Sequence, residues 1–238
     1  MKPPMSRRAF VRNTFLSTLA LASGFGIPKA FGATGKKTEL TADKALEMLK
    51  KGNEEYLSDN AAQRKSRERR QEIARGQAPF AVILSCSDSR VPPEILFNRG
   101  LGELFIIRNA GNTVDTAALG SIEYGVAMLG APLLVVLGHE RCGAVDAAIS
   151  VAEKNTSLPG SLGPMIEPII PAVLVAKGSG NLKGEELLDA AVRENIRRVV
   201  NRLKTSPAIL QEHVKGGQVK VVGARYDLDE GKVDFFAE

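Results

Sequence analysis

Cysteine and histidine occur only twice each in this 238-residue chain, and tryptophan does not occur at all. Two cysteines can form at most one bridge, which excludes a disulfide-scaffolded fold. No Gly-x-Gly-x-x-Gly loop follows a strand-like run, so a dinucleotide-dependent zinc alcohol dehydrogenase is not indicated. No Pro-Cys-x-x-Cys occurs, which argues against a zinc deaminase, and no internal repeat recurs. The moderately apolar stretch Thr14 to Ile27 is broken by Ser17, Thr18, Ser23, Gly24 and Gly26. It is too short and too polar to span a bilayer, which takes about 20 apolar residues.

That stretch follows Ser6-Arg7-Arg8-Ala9-Phe10-Val11-Arg12, a twin-arginine export pattern, and precedes Ala30-Phe31-Gly32, a small-x-small cleavage site. Residues 1–32 are therefore expected to be a signal peptide rather than a basic arm, and residues 33–238 the folded domain, exported to the periplasm. Residues 1–32 contain Lys2, Arg7, Arg8, Arg12 and Lys29 and no acid. Without them Lys plus Arg falls from 32 to 27, equal to the 27 Asp plus Glu, so the formal charge of +5 belongs to the export segment. Neither nucleic acid nor a stable membrane anchor is indicated as a partner.

Against this scarcity, both cysteines and one histidine fall in two short segments, Cys86-Ser87-Asp88-Ser89-Arg90 and His139-Glu140-Arg141-Cys142. Each directly follows an apolar run, Phe80–Leu84 or Leu133–Leu137. Two thiolates and an imidazole are the ligand count of a catalytic zinc with an open fourth position. In an oxidising compartment the alternative is a Cys86–Cys142 disulfide. Proteins exported by the twin-arginine route fold first, so the metal would be loaded before export. A helix expected from Gly143 would favour the Cys142 thiolate at its positive end. Asp88 and Arg90 lie two and four residues beyond Cys86. A carboxylate held by arginine stays ionised and oriented, ready to accept a hydrogen bond from a nucleophile. The alternatives are that Asp88 fills the fourth metal position, or that the two form an ordinary surface ion pair.

Periodicity predicts strands at Phe80–Ser85, Leu104–Arg108, Leu133–Gly138, Lys220–Tyr226 and Val233–Phe236, the last a short one. Helices are predicted over 41–58, 62–76, 115–129, 143–152, 164–177, 184–204 and 207–214, with a loop over 155–164. Apolar strands alternating with helices indicate an α/β fold, a mostly parallel central sheet of four to five strands flanked by helices. In such sheets ligands bind beyond the carboxyl ends of the strands, where Cys86 and His139 fall.

Cys86-Ser-Asp-Ser-Arg-Val91, Arg108-Asn-Ala-Gly-Asn112 and Gly138-His-Glu-Arg-Cys-Gly-Ala144 together resemble the β-class carbonic anhydrases, over about residues 40–236. The resemblance implies zinc on Cys86, His139 and Cys142, with Asp88 and Arg90 as the catalytic dyad. It implies reversible hydration of carbon dioxide to bicarbonate and a proton, in a homodimer or homotetramer. Gln77 looks like the substrate-binding glutamine of the plant-type subgroup. Phe105 and Tyr124 resemble its aromatic wall, contributed by a neighbouring subunit, and Gly143 is expected to offer its N–H to a bound anion. Without tryptophan, the Trp-Arg-Tyr bicarbonate pocket of the allosteric subgroup is not formed as usual, which favours the open metal site. Met128 departs from a histidine that some plant-type members carry there for proton transfer, and His213 reads as an exposed helix-end residue. Carbonyl sulfide or carbon disulfide remain alternative substrates of the same ligand set. A zinc protein without catalysis is the non-enzymatic alternative, against which the dyad and Gln77 argue.

Overall fold

The apolar runs assemble at the centre of a five-stranded sheet in this computed structural model, which describes residues 37–58, 67–205 and 207–237. The export pattern and cleavage site lie outside the described residues. β1 (Ala81–Ser85) and β3 (Leu133–His139) are buried at every position. β2 (Leu104–Arg108) pairs with β1, and β4 (Lys220–Tyr226) with β3, all in parallel. β5 (Val233–Ala237) closes the order β2-β1-β3-β4-β5 as an antiparallel edge on β4. The predicted α/β class and mostly parallel sheet are observed, with the upper strand count.

Residues without period-2 alternation are needed because both faces of the sheet are covered. On one face Val82, Leu84 and Val136 pack in a layer with Val145 and Ile149 of α5 (Gly143–Lys154), Val173 of α7 (Ile170–Gly178), and Val192, Ile196 and Leu203 of α8 (Gly184–Thr205). On the other, Ile83, Val135 and Leu137 share a layer with Leu46 and Leu49 of α1 (Ala42–Leu57), Leu96 of α3 (Pro93–Leu96) and Phe97. Each fully buried aliphatic side chain contributes about 1.5–3 kcal/mol. α1 is N-capped by Thr41, whose hydroxyl accepts the Lys44 N–H at 3.3 Å. Asn53 of α1 donates to Leu96 O and Gly231 O and accepts from Val233 N–H, tying helix to edge strand.

The predicted and described elements differ at three places. The basic helix is described as α2 (Arg67–Ile73), and residues 62–66 of that prediction lie outside the described residues. The helix predicted over 115–129 is α-helical only from Thr116 to Glu123 (α4), capped by Asp115, and then widens into a π-turn over Tyr124–Met128. There Leu129 N–H donates to Tyr124 O at 3.1 Å. Gly125 permits the widened turn to seat on β1, since a Cβ there would lie 2.6 Å from Val82 Cγ2. The third departure is between 162 and 178, where Pro168 and Pro171 remove backbone donors. The predicted single helix becomes α6 (Leu162–Ile166), a 3₁₀ turn (Glu167–Ile169) and α7, while α9 (Ala208–Lys215) forms as expected. No described helix is long and apolar enough to cross a membrane.

Candidate metal centre

Parallel pairing puts the carboxyl ends of β1 and β3 side by side, Ser85 opposite Leu137. Cys86 is the next residue after β1, His139 ends β3, and Cys142 is the N-cap of α5. Their ligand atoms all lie within 4.8 Å of one another. The two sulfurs are 4.0 Å apart and both thiols are free. A disulfide needs about 2.05 Å, whereas two sulfurs about 2.3 Å from one zinc stand no more than ~4.6 Å apart. His139 is wholly buried, and its Nδ1–H faces Glu140 O at 2.8 Å. That bond leaves Nε2 as the lone-pair nitrogen, and Nε2 is buried without a hydrogen-bond partner. An unpartnered buried polar atom is costly. Coordination to a metal satisfies it, and Cys₂His is a donor set of zinc. The residues fit the ion.

The thiol pair is electrostatically prepared. The Cys142 hydrogen bond, opposed by burial, draws the Cys86 thiol down to about 4, with further help from His139 and from the Gly111 and Asp88 N–H groups. Cys142 moves up, against the expectation from its helix N-terminus: the bond to Cys86 and burial raise it, and the Val145 and Ala144 N–H groups only partly offset them.

Asp88 stands over this cluster, its Oδ2 3.9 Å from His139 Nε2. Arg90 grips it with a fork, Nε to Oδ1 at 2.9 Å and Nη2 to Oδ2 at 2.7 Å, and adds its own backbone N–H to Oδ1 at 2.9 Å. These bonds, chiefly from the guanidinium and against partial burial, hold the carboxyl well below the usual carboxylate range. The pair is therefore aimed at the ligand cluster, unlike an ordinary surface pair. Arg108, at the end of β2, donates to Cys86 O at 2.9 Å and Asp88 O at 2.5 Å, bracing the loop from behind. Gly111 N–H points at Cys86 Sγ from 3.3 Å. Gly143 is exposed in the first turn of α5, where helix N–H groups lack intrahelical partners.

The remaining predicted site residues are elsewhere in the chain. Gln77 is exposed four residues before β1 begins, whereas Cys86 follows that strand's other end. Phe105 sits in register with Val82, three residues short of the carboxyl end of β1, and its ring centre is 6.0 Å from that of Tyr124. Both are half-buried. One chain thus gathers Cys86, His139, Cys142, Asp88, Arg90 and Gly143, but not Gln77, Phe105 or Tyr124. His213 is a helix-end residue but half-buried rather than exposed, because its ring closes on its own helix, Nδ1 to Ile209 O at 2.8 Å. A second acidic group at the same end, Glu140, Asp227 and Asp229, is engaged by Arg141, Arg225 and backbone N–H groups.

Arg108 and Gly111 lie inside the Arg108–Asn112 motif, to which the sequence assigns no role. Asn195, absent from the predicted site, donates to Gly111 O from α8. Its signal was available: a carboxamide interrupting the apolar stripe of Val192, Ile196 and Val199.

The sequence pattern of a family described as carbonic anhydrase matches residues 81–233. Carbonic anhydrase 2 of Mycobacterium tuberculosis is 39% identical over 189 residues, covering 79% of this chain and 89% of that protein. The β-carbonic anhydrase of Coccomyxa, solved in complex with acetazolamide, matches with a TM-score of 0.66 and 30% identity over 78% of this chain and 83% of the other. One of two tetrameric β-carbonic anhydrases from the ascomycete Sordaria macrospora matches with a TM-score of 0.64 and 25% identity, over 70% and 84%.

Proposed function

The chain belongs to the β-class carbonic anhydrase family, and on that premise we propose that it catalyses the reversible hydration of carbon dioxide at a zinc ion held by Cys86, His139 and Cys142. The observation that carries this reading is the buried, unpartnered Nε2 of His139 within reach of two free sulfurs and 3.9 Å from an ionised Asp88. When bound, zinc would supply the Lewis acidity that activates water as a nucleophile.

The chain's own groups do the rest. Glu140 O holds the His139 tautomer through Nδ1–H. Asp88 accepts a hydrogen bond from the nucleophile and so fixes its direction of attack. Arg90 occupies both Asp88 oxygens, which keeps the carboxylate ionised and supports its standing beside the metal rather than serving as a fourth ligand. The Gly143 N–H, at the positive end of α5, offers a resting place for the bicarbonate charge.

Gln77, Phe105 and Tyr124 complete the substrate pocket from a second copy of the chain, as in the plant-type subgroup. Their distance from the cluster within one chain supports this, as does the tetrameric state of the Sordaria relative. A homodimer or homotetramer follows, measurable by sedimentation. The twin-arginine pattern at Arg7 and Arg8 supports export to the periplasm; replacing both with lysine is expected to retain the enzyme in the cytoplasmic fraction.

Asp88→Asn tests the catalytic assignment. It is expected to keep its zinc and to lose about 100-fold in kcat/KM, the scale of a misplaced acid–base group. Turnover near that of the unmodified enzyme with zinc bound would overturn the role given to Asp88.

A further inference from the structure

Gly111 is fixed by constraints from three directions. Its φ of +70° is one that side-chain-bearing residues rarely adopt, and a Cβ there would lie 2.5 Å from Ile169 Cδ1 and 3.1 Å from Ala144 Cβ. Its N–H meets Cys86 Sγ at 3.3 Å, and its carbonyl accepts Asn195 Nδ2 at 2.9 Å. Asn195 is only 3% exposed and is flanked on α8 by the buried Val192, Ile196 and Val199. A carboxamide in such a layer costs free energy unless it is bonded, so its place there needs a reason beyond packing. Farther along the same helix, Arg202 Nη1 donates to Val114 O at 2.8 Å. The helix therefore holds the segment after β2 at two carbonyls, three residues apart.

We infer that Asn195 is a positioning residue for the metal centre: by holding Gly111, it keeps a backbone N–H on the Cys86 sulfur and limits the charge that sulfur gives the metal. An N–H bonded to a thiolate stabilises the sulfur lone pairs and weakens them as donors. In a site with two thiolates this preserves Lewis acidity that the sulfurs would otherwise quench. The inference rests on Cys86 being a metal ligand.

Cobalt(II)-substituted protein tests it, because the sulfur-to-cobalt charge-transfer band reads the energy of the sulfur lone pairs. Asn195→Ala is expected to shift that band to lower energy. Leu203→Ala, at a fully buried position of the same helix, is the control: it is expected to lower the melting temperature and leave the band in place. If Asn195→Ala loses stability but keeps the band of the parent, the inference is overturned. It is also overturned if Leu203→Ala moves the band equally. Should Asn195→Ala not fold, Asn195→Asp, of the same size but without the donor when ionised, carries the same expectation. A parent protein without a sulfur charge-transfer band would remove the Cys86 ligand assignment itself, a failure distinct from an unmoved band in the variant.

Discussion

The carboxyl ends of β1 and β3 and the middle of β2 belong to one sheet, yet they are finished in opposite ways. At the strand ends every ligand is buried, and Arg108, Gly111, Arg90 and Glu140 O complete the surroundings from within the chain. Phe105 of the edge strand β2 pairs with Tyr124 of the π-turn, both half-buried and away from the strand ends that carry the cluster. The difference teaches that the chemistry-bearing half of the site is an intrachain construction. Under the proposed function, the apolar half reaches the metal when a second copy brings it.

Breaking the first half should have the largest effect. His139→Ala or Cys142→Ser is expected to abolish bound zinc, measured by elemental analysis, and to reduce carbon dioxide hydration to the uncatalysed background. Arg90→Gln leaves the ligands intact but frees Asp88; about a tenfold loss of kcat/KM with full zinc content is expected from stopped-flow assays. The second half is tested by Phe105→Ala combined with Tyr124→Ala. Sedimentation is expected to show weaker association by about tenfold, as loss of an interfacial aromatic cluster costs upwards of ~1 kcal/mol. Activity should fall on dilution while zinc stays bound; a fully active, zinc-loaded monomer would break the comparison.

The smallest effect lies in the charge network beside the cluster. Glu230 N–H first, then the Arg225 guanidinium, holds the Asp227 carboxyl below its ordinary value. A carboxyl depressed on folding adds stability above its unfolded pKa of about 3.9, and that stability is lost as pH falls through the folded value. Asp227→Asn is therefore expected to cost less than about 1 kcal/mol at pH 7. The difference between variant and parent should shrink in urea melts as the pH is lowered.

The elements legible in the sequence were those specified by their own residues. Leu104–Arg108 and Lys220–Tyr226 are runs rich in apolar and β-branched side chains, and they form strands at the predicted bounds. The ligands were legible because cysteine and histidine are so scarce that their placement after two apolar runs stands out. The π-turn at Tyr124 was not legible, since it depends on Gly125 approaching Val82 of a strand 43 residues away. Nor was the grip of Asn195 on Gly111, a contact 84 residues apart in sequence.

Turnover, in the proposed function, belongs to a metal held by Cys86, His139 and Cys142. Zinc should be removed stepwise from the purified enzyme with a chelator, while carbon dioxide hydration and free thiols are both titrated. The account predicts that activity falls in proportion to zinc lost, with two thiols released per chain, and returns when zinc is restored. Full hydration activity in a metal-free protein with Cys86 joined to Cys142 would contradict it.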